Sequence, residues 1–308
     1  MSATLPRSFL GLPAPAKINL FLHVVGRRPD GYHELQSVFV PIDLCDTIDV
    51  CAAEDGRIER LGELTGPVER DLAVRAAQLL QQRAQAGGWR PGARITVEKA
   101  IPVGAGLGGG SSDAATTLIA LNRLWGLDLP RSELAALGLQ LGADVPFFLG
   151  PGPAFVEGIG EQATPLPLPP AWVVLVFPQV AVSTAEIFAD PKLTRSTKKT
   201  TIAGFSAALS ALDRAPDPGP DVRSRAWGFG ANDLEPVVRG RVAPVDAALR
   251  LLGQHAPARM SGSGSAVFAV FAQEAEAQQV AARLRMQAPP GWSVWSVAML
   301  GELPLAPW

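Results

Sequence analysis

The chain has 308 residues, 47% of them apolar, enough for a large buried core, and its net charge of −2 offers no basic excess to a nucleic-acid backbone. Cys45 and Cys51, the only cysteines, exclude a disulfide framework and, without clustered histidines, make a poor metal pair. No apolar run reaches membrane-spanning length and the N-terminus lacks a signal-peptide core, so a cytoplasmic protein with neither nucleic acid nor membrane as partner is expected.

Alternation over Ile18 to Val25 predicts a first strand, with Lys17, Asn19, Phe21 and His23 on one face and Ile18, Leu20, Leu22 and Val24 on the other. Arg28-Pro29-Asp30-Gly31 predicts a turn, and strands follow at Leu35 to Pro41 and at Thr47 to Cys51. Asp71 to Ala84 is amphipathic and helical, and Arg94 to Lys99 suits a strand edge. A helix is expected behind Ser112, its apolar face made by Ala114, Ala115, Leu118, Ile119, Leu121 and Leu124. Another covers Ser132 to Leu141, ahead of the segment Gly142-Ala143-Asp144-Val145-Pro146-Phe147-Phe148.

The proline-rich stretch Pro165 to Pro170 is the expected domain boundary, giving units 1–167 and 168–308. Beyond it the pattern predicts strands at Val173 to Phe177, Ala266 to Phe271 and Trp292 to Met299. Helices are predicted at Pro244 to Leu252 and Gln273 to Arg285, with an exposed loop over Asp213 to Asp221. Strands cluster early and do not alternate regularly with helices, so the fold class is α+β with two domains.

Between the Arg94 strand and the next helix lies Pro102-Val103-Gly104-Ala105-Gly106-Leu107-Gly108-Gly109-Gly110-Ser111-Ser112. Glycines can turn N–H groups towards an anion with no Cβ in the way, and a helix N-terminus adds free donors and a favourable dipole. The composite is a phosphate cradle. Gly104, Gly106 and Gly109 match a dinucleotide fingerprint with Asp128 about twenty residues on, but no second parallel strand follows. The loop ends without the lysine of a Walker A motif, and no protein-kinase H-R-D or D-F-G occurs. Ser111 or Ser112 is expected to cap the helix; a hydroxyl there can also bond a phosphate oxygen or hold Mg²⁺.

The chemistry must then come from elsewhere. Lys17 opens its strand beside Asn19 and reads either as a solvated charge or as a functional cation. Asp144 reads as a helix N-cap, or as a carboxylate among Val145, Phe147, Phe148 and Leu149 that a lysine would hold ionised. Tyr32 and His33 after the turn read as core or turn residues, and Ser261-Gly262-Ser263-Gly264-Ser265 as a tight turn or a close-approach loop.

Pro102 to Ser112 resembles the ATP-binding signature of the GHMP kinase superfamily. Pro15-Ala16-Lys17-Ile18-Asn19-Leu20, Arg28 to His33, Gly142 to Phe147, Asn232-Asp233-Leu234-Glu235-Pro236 and Ser261 to Ser265 extend the resemblance over nearly the whole chain. They narrow it to the branch acting on a cytidyl-diphosphate-linked methylerythritol. The resemblance implies a ribosomal-protein-S5-like ATP-binding domain, then a ferredoxin-like α/β sandwich. It also implies ATP-dependent phosphorylation of the 2-hydroxyl of 4-diphosphocytidyl-2-C-methyl-D-erythritol, with ATP as co-substrate, Mg²⁺ present, and a monomer or weak homodimer. By carry-over Asp144 takes or orients the hydroxyl proton and Lys17 holds Asp144 and the transferring phosphoryl. The glycine loop binds the ATP phosphates and Lys99 lies near the adenine. Tyr32 and Phe188 stack around cytosine, His33 bonds its polar edge, and Asn19 and Thr184 complete the substrate site. A smaller alcohol such as mevalonate or homoserine, or an inactive binding protein of the same fold, are the alternatives. One departure is Arg70-Asp71-Leu72, where the family often has Asp-Asn-Leu; Asp71 is therefore left out of the expected site.

Overall fold

A computed structural model describes residues 7–213 and 227–308. The first half contains β1 (Ser8–Arg27), β2 (His33–Ala53), β3 (Ile58–Leu61), α1 (Leu72–Gln85), β4 (Gly92–Glu98), α2 (Gly109–Leu124), α3 (Arg131–Leu139), α4 (Val145–Phe148), β5 (Ala154–Glu157) and β6 (Gln162–Pro165). These strands form one sheet in the order β3-β4-β2-β5-β6, with β1 paired to β2. All its pairings are antiparallel except β3 with β4.

The second half contains β7 (Trp172–Phe177), α5 (Thr184–Ala189), α6 (Ile202–Asp213), β8 (Arg259–Met260), β9 (Val267–Phe271) and β10 (Ser293–Ala298). The antiparallel order is β10-β7-β9-β8. Helices Ala243–Gly253 and Glu274–Gln287 cover this sheet, burying Leu249, Leu252, Val280 and Leu284 against Val174, Val176 and Val267. The loop expected over Asp213 to Asp221 lies, past Asp213, outside the described residues.

Three apolar clusters hold the molecule together. One lies under α1 and α2, where Leu80, Leu118 and Leu121 meet Ile48, Val50 and Ile95 of the first sheet. The second belongs to both halves: Ile18, Leu20, Val38, Val40 and Ile42 pack against Val173, Leu175, Phe268 and Met299. The third is the helix-covered side of the second sheet. Fully burying side chains of this kind stabilises by about 1.5–3 kcal/mol each before chain entropy is counted.

Two expected strands are one. Leu35 to Pro41 and Thr47 to Cys51 belong to the single strand β2, whose register against β1 jumps from Ile42–Ala16 to Cys45–Pro15. That bulge bends β2, so its first part pairs with β5 and its last part with β4. β1 likewise runs far beyond Ile18 to Val25. Pro13 and Pro15 sit within it because β1 has a single neighbour strand and can spare those N–H groups. A second register shift between Asn19 and Leu22 breaks the expected alternation. Lys17 and Asn19 face the cleft described below, whereas Phe21 enters an aromatic cluster with Phe155, Phe205 and Phe229. His23 accepts from the Ala231 N–H at 3.3 Å.

Candidate active site

The loop from Pro102 to Gly108 joins β4 to α2 over the mouth of a cleft of about 660 Å³. Gly104, Gly106 and Gly108 adopt φ of +70°, +76° and +71°, which only glycine takes readily. Gly108 itself is the N-cap of α2, in the left-handed region, and Ser112 N–H bonds its carbonyl. Neither Ser111 nor Ser112 caps the helix; both stand inside its first turn. The αL glycine makes the turn that a serine side chain was expected to make. The first-turn amides of Gly109, Gly110 and Ser111 precede the helical ladder and so remain free donors.

Two residues from opposite ends of the first half meet beneath this loop. Lys17 Nζ lies 3.2 Å from Asp144 Oδ2 and donates to Asn19 Oδ1 at 2.7 Å. The ammonium also stands 4.2 Å from the centroid of Phe39, and the Lys17 side chain is 5% exposed against 30% for Asp144. Burial of the lysine is met by a carboxylate, an amide oxygen and a ring face, so its charge is compensated. Asp144 occupies the N-cap of α4 but makes no capping bond, which leaves its carboxylate to Lys17 and the cleft. Asn19 is fixed in turn: its Nδ2 donates to Ser37 Oγ at 3.0 Å, and Ser37 Oγ–H bonds the Phe21 carbonyl.

Ser261 to Ser265 is a close-approach loop. Ser261 Oγ accepts from Asn19 N–H at 3.3 Å and donates to the Gly106 carbonyl at 3.0 Å, and Ala266 N–H bonds the Ala105 carbonyl. A Cβ on Gly106 would collide with the Ser261 carbonyl oxygen, so the glycine is required by contact as well as by φ. Asn232 shapes this second loop from below, donating from Nδ2 to the Met260 and Gly262 carbonyls at 2.8 Å each.

Lys99 lines the cleft, yet its ammonium is held by Asp46, buried in β2, and by Asp113 in α2 at 2.6 Å. Asp46 Oδ1 also accepts from the Ala100 and Ile101 N–H groups at 2.7 and 2.8 Å, anchoring the start of the loop. One ammonium cannot neutralise two buried carboxylates. Burial, aided by Asp46 and opposed by Lys99, pushes the Asp113 carboxyl up to about 7, while the Lys99 ammonium is held charged above its usual range. Asp46 and Asp113 were not expected from sequence, since their common partner Lys99 lies in a different segment.

At the other end of the cleft stand Thr184 and Phe188 of α5. The hydroxyls of Thr184 and Ser263 are 2.6 Å apart, which joins α5 to the serine-glycine loop. The His33 ring stacks on Phe188 with centroids 5.0 Å apart and planes at 27°. Tyr32 is 62% exposed and is not among the residues lining the cleft. Asp71 does line it, but its carboxylate caps α1 through Ala73 N–H at 2.9 Å and pairs with Arg60 at 3.0 Å. Lys17, Asn19, Asp144, Thr184, Phe188, Lys99 and the glycine loop from Pro102 to Ser111 are thus brought to one cleft, with Tyr32, His33 and the buried Ser112 outside its lining.

Comparison with known proteins fits this geometry. The family model described as the GHMP kinases N terminal domain matches residues 71–152, and the one described as GHMP kinases C terminal matches 222–289. A protein of Ralstonia nicotianae named 4-diphosphocytidyl-2-C-methyl-D-erythritol kinase is 50% identical over 98% of this chain and 97% of its own length. The chain belongs to the 4-diphosphocytidyl-2-C-methyl-D-erythritol kinase family of GHMP kinases. A relative of that name from Cupriavidus necator is 49% identical over 98% of this chain and 96% of its own. A solved 4-(cytidine 5'-diphospho)-2C-methyl-D-erythritol kinase superposes with a TM-score of 0.73 at 35% identity, covering 95% of this chain and 98% of that one. A homoserine kinase from Cytophaga hutchinsonii, at 17% identity and TM-score 0.70 over 98% of each chain, shares the fold. The α+β, two-part GHMP kinase fold expected from sequence is therefore the fold found. As a GHMP kinase the protein is a small-molecule kinase with ATP as co-substrate.

Proposed function

We propose that this cleft transfers the γ-phosphoryl group of ATP to the 2-hydroxyl of 4-diphosphocytidyl-2-C-methyl-D-erythritol, a step of the non-mevalonate isoprenoid pathway. The observation that carries the reading is the Lys17–Asp144 pair, at 3.2 Å, set below the glycine loop and facing the cleft that Thr184 and Phe188 line at its far end. In the transfer the hydroxyl oxygen forms a bond to the γ-phosphorus as the bond to the β–γ bridging oxygen breaks, and ADP leaves. The hydroxyl proton goes to Asp144. Lys17 pairs with that carboxylate at 3.2 Å and meets the charge of the phosphoryl oxygens. Positioning and charge stabilisation dominate such reactions, which suits a weak carboxylate base.

The glycine loop, from Pro102 to Ser112, binds the triphosphate through its amides. Lys99, held by its two carboxylates, borders the adenine end. Phe188 stacks on the cytosine with Tyr32 from the rim, His33 bonds the base edge, and Asn19 and Thr184 contact the rest of the substrate. Mg²⁺ is expected on the phosphates. Among the described residues no three His, Cys, Asp or Glu side chains gather as a metal cage, which suits an ion that brings most of its ligands with the nucleotide. The buried hydroxyl of Ser112, without a partner among the described residues, is the side chain that would complete its shell. When bound, the ion supplies charge neutralisation at the phosphates.

We place the boundary between the two units at 167/168 and read the protein as cytoplasmic, working as a monomer or weak homodimer. No helix among the described residues is long and apolar enough to cross a membrane. The test is an ATP-consumption assay on a panel of alcohols. Turnover of the cytidyl compound is expected; turnover of mevalonate or homoserine without it would overturn the substrate assignment.

A further inference from the structure

The segment after α5 has no role in the motifs, yet Arg195 within it makes four directed contacts. Its Nε donates to His33 Nε2 at 3.1 Å and its Nη1 to the Leu193 carbonyl at 3.1 Å. Its Nη2 donates to the carbonyls of Phe188 at 3.1 Å and Asp190 at 2.7 Å. Among the described residues no carboxylate lies within ion-pair distance of this guanidinium. It is spent on three backbone carbonyls and one imidazole.

A guanidinium keeps its protons, so the ring nitrogen it points at has to offer a lone pair. His33 Nε2 is therefore an acceptor, and the proton of the neutral ring sits on Nδ1. A second proton on the ring would set two N–H groups head to head. Burial, with the positive charges of Arg195 and Arg27, also holds His33 below its ordinary pKa. Through the Phe188 carbonyl the same guanidinium fixes the residue whose ring stacks on His33.

We propose that Arg195 is a positioning residue that locks His33 in the neutral Nδ1–H tautomer and orients the His33–Phe188 ring pair for a flat base. The base itself rests on the function proposed above; the lock does not. A histidine so fixed can only donate from Nδ1, so it would favour a ring that turns an acceptor nitrogen or carbonyl towards it.

The test combines spectroscopy with kinetics. The chain has three histidines, so ¹⁵N–¹H correlation spectra of the whole protein near neutral pH can be assigned with a His33→Gln variant. His33 is expected to show a pyridine-like Nε2 and a pyrrole-like Nδ1; the opposite tautomer in the unsubstituted protein would overturn the lock. In Arg195→Gln the two tautomers should mix, and KM for the cytidyl substrate should rise about tenfold, the loss of a charge-assisted bond, with KM for ATP unchanged. An unchanged KM for the cytidyl substrate, or an equal rise for ATP, would overturn the positioning role. Should the expected tautomer appear in a protein that does not turn over the cytidyl compound, the substrate assignment fails and the lock stands.

Discussion

Lys17 and Asp144 meet at 3.2 Å although one stands in the first strand and the other ahead of a four-residue helix. Each is what the other needs: the lysine is buried, and the carboxylate makes no capping bond that would compete for it. Replacing Asp144 by Asn keeps the shape and removes the proton acceptor. Asp144→Asn should lower kcat by about 10²–10⁴ with KM for ATP nearly unchanged, measured by steady-state kinetics. Near-normal turnover would remove Asp144 from the reaction.

Gly106 carries two constraints at once, a φ of +76° and contact with the Ser261 carbonyl. Alanine there incurs roughly 1–2 kcal/mol for the left-handed backbone and roughly 1–3 kcal/mol for overpacking. Gly110 has neither problem, since its Cβ would rest 3.4 Å from Leu72. Urea unfolding of Gly106→Ala should show a loss of about 2–5 kcal/mol, while Gly110→Ala is neutral or slightly stabilising. Equal stability of the two would mean that the loops do not press on each other.

Asp113 predicts a pH signature. With its carboxyl raised to about 7, the folded chain holds a proton that the unfolded chain releases near the ordinary value for Asp. Between these two pH values the folded state binds more protons, so this group's contribution to stability falls as pH rises and levels off above about 7. Asp113→Asn removes that slope. Its stability relative to the parent should increase from pH ~4 to ~7 and then stay constant in urea titrations. A gap that does not change with pH would place the Asp113 carboxyl in the ordinary range.

Tyr32 is exposed, so truncating it should leave the fold intact. Tyr32→Ala is expected to keep Tm within about 2 °C, since exposed substitutions stay within roughly ±0.5 kcal/mol. KM for the cytidyl substrate should rise several-fold, with KM for ATP unaffected. Calorimetry and kinetics together decide it: a large fall in Tm would give the tyrosine a packing role instead.

Much of this was legible in the residues, for definite reasons. Periodicity placed α1, α2 and three strands of the second sheet, β7, β9 and β10, though not the two-residue β8, and the glycine loop announced itself because few other structures need three left-handed glycines before a helix. The faces of β1 were misread past Asn19, because a register shift is set by pairing with β2 and leaves no trace in alternation. The break expected between Pro41 and Thr47 is a bulge within β2, for the same reason. Capping went to Gly108 because the backbone could turn there without a side chain, which the serines concealed. Asp46, Asp113 and Arg195 were missed because what marks them is a partner far away in the chain. Asp71 illustrates the reverse. A departure from the usual asparagine leaves its local work, capping α1 and pairing with Arg60, in the hands of a carboxylate.

The apolar cluster shared by the two sheets limits how the enzyme can move. Swinging one half away from the other would strip Val40, Ile42, Val173, Leu175 and Phe268 of their cover and expose them to water, at about 25 cal/mol for each Å² uncovered. A jaw-like opening between the halves is therefore costly, and the distance between the phosphate loop and the substrate end is set when the chain folds.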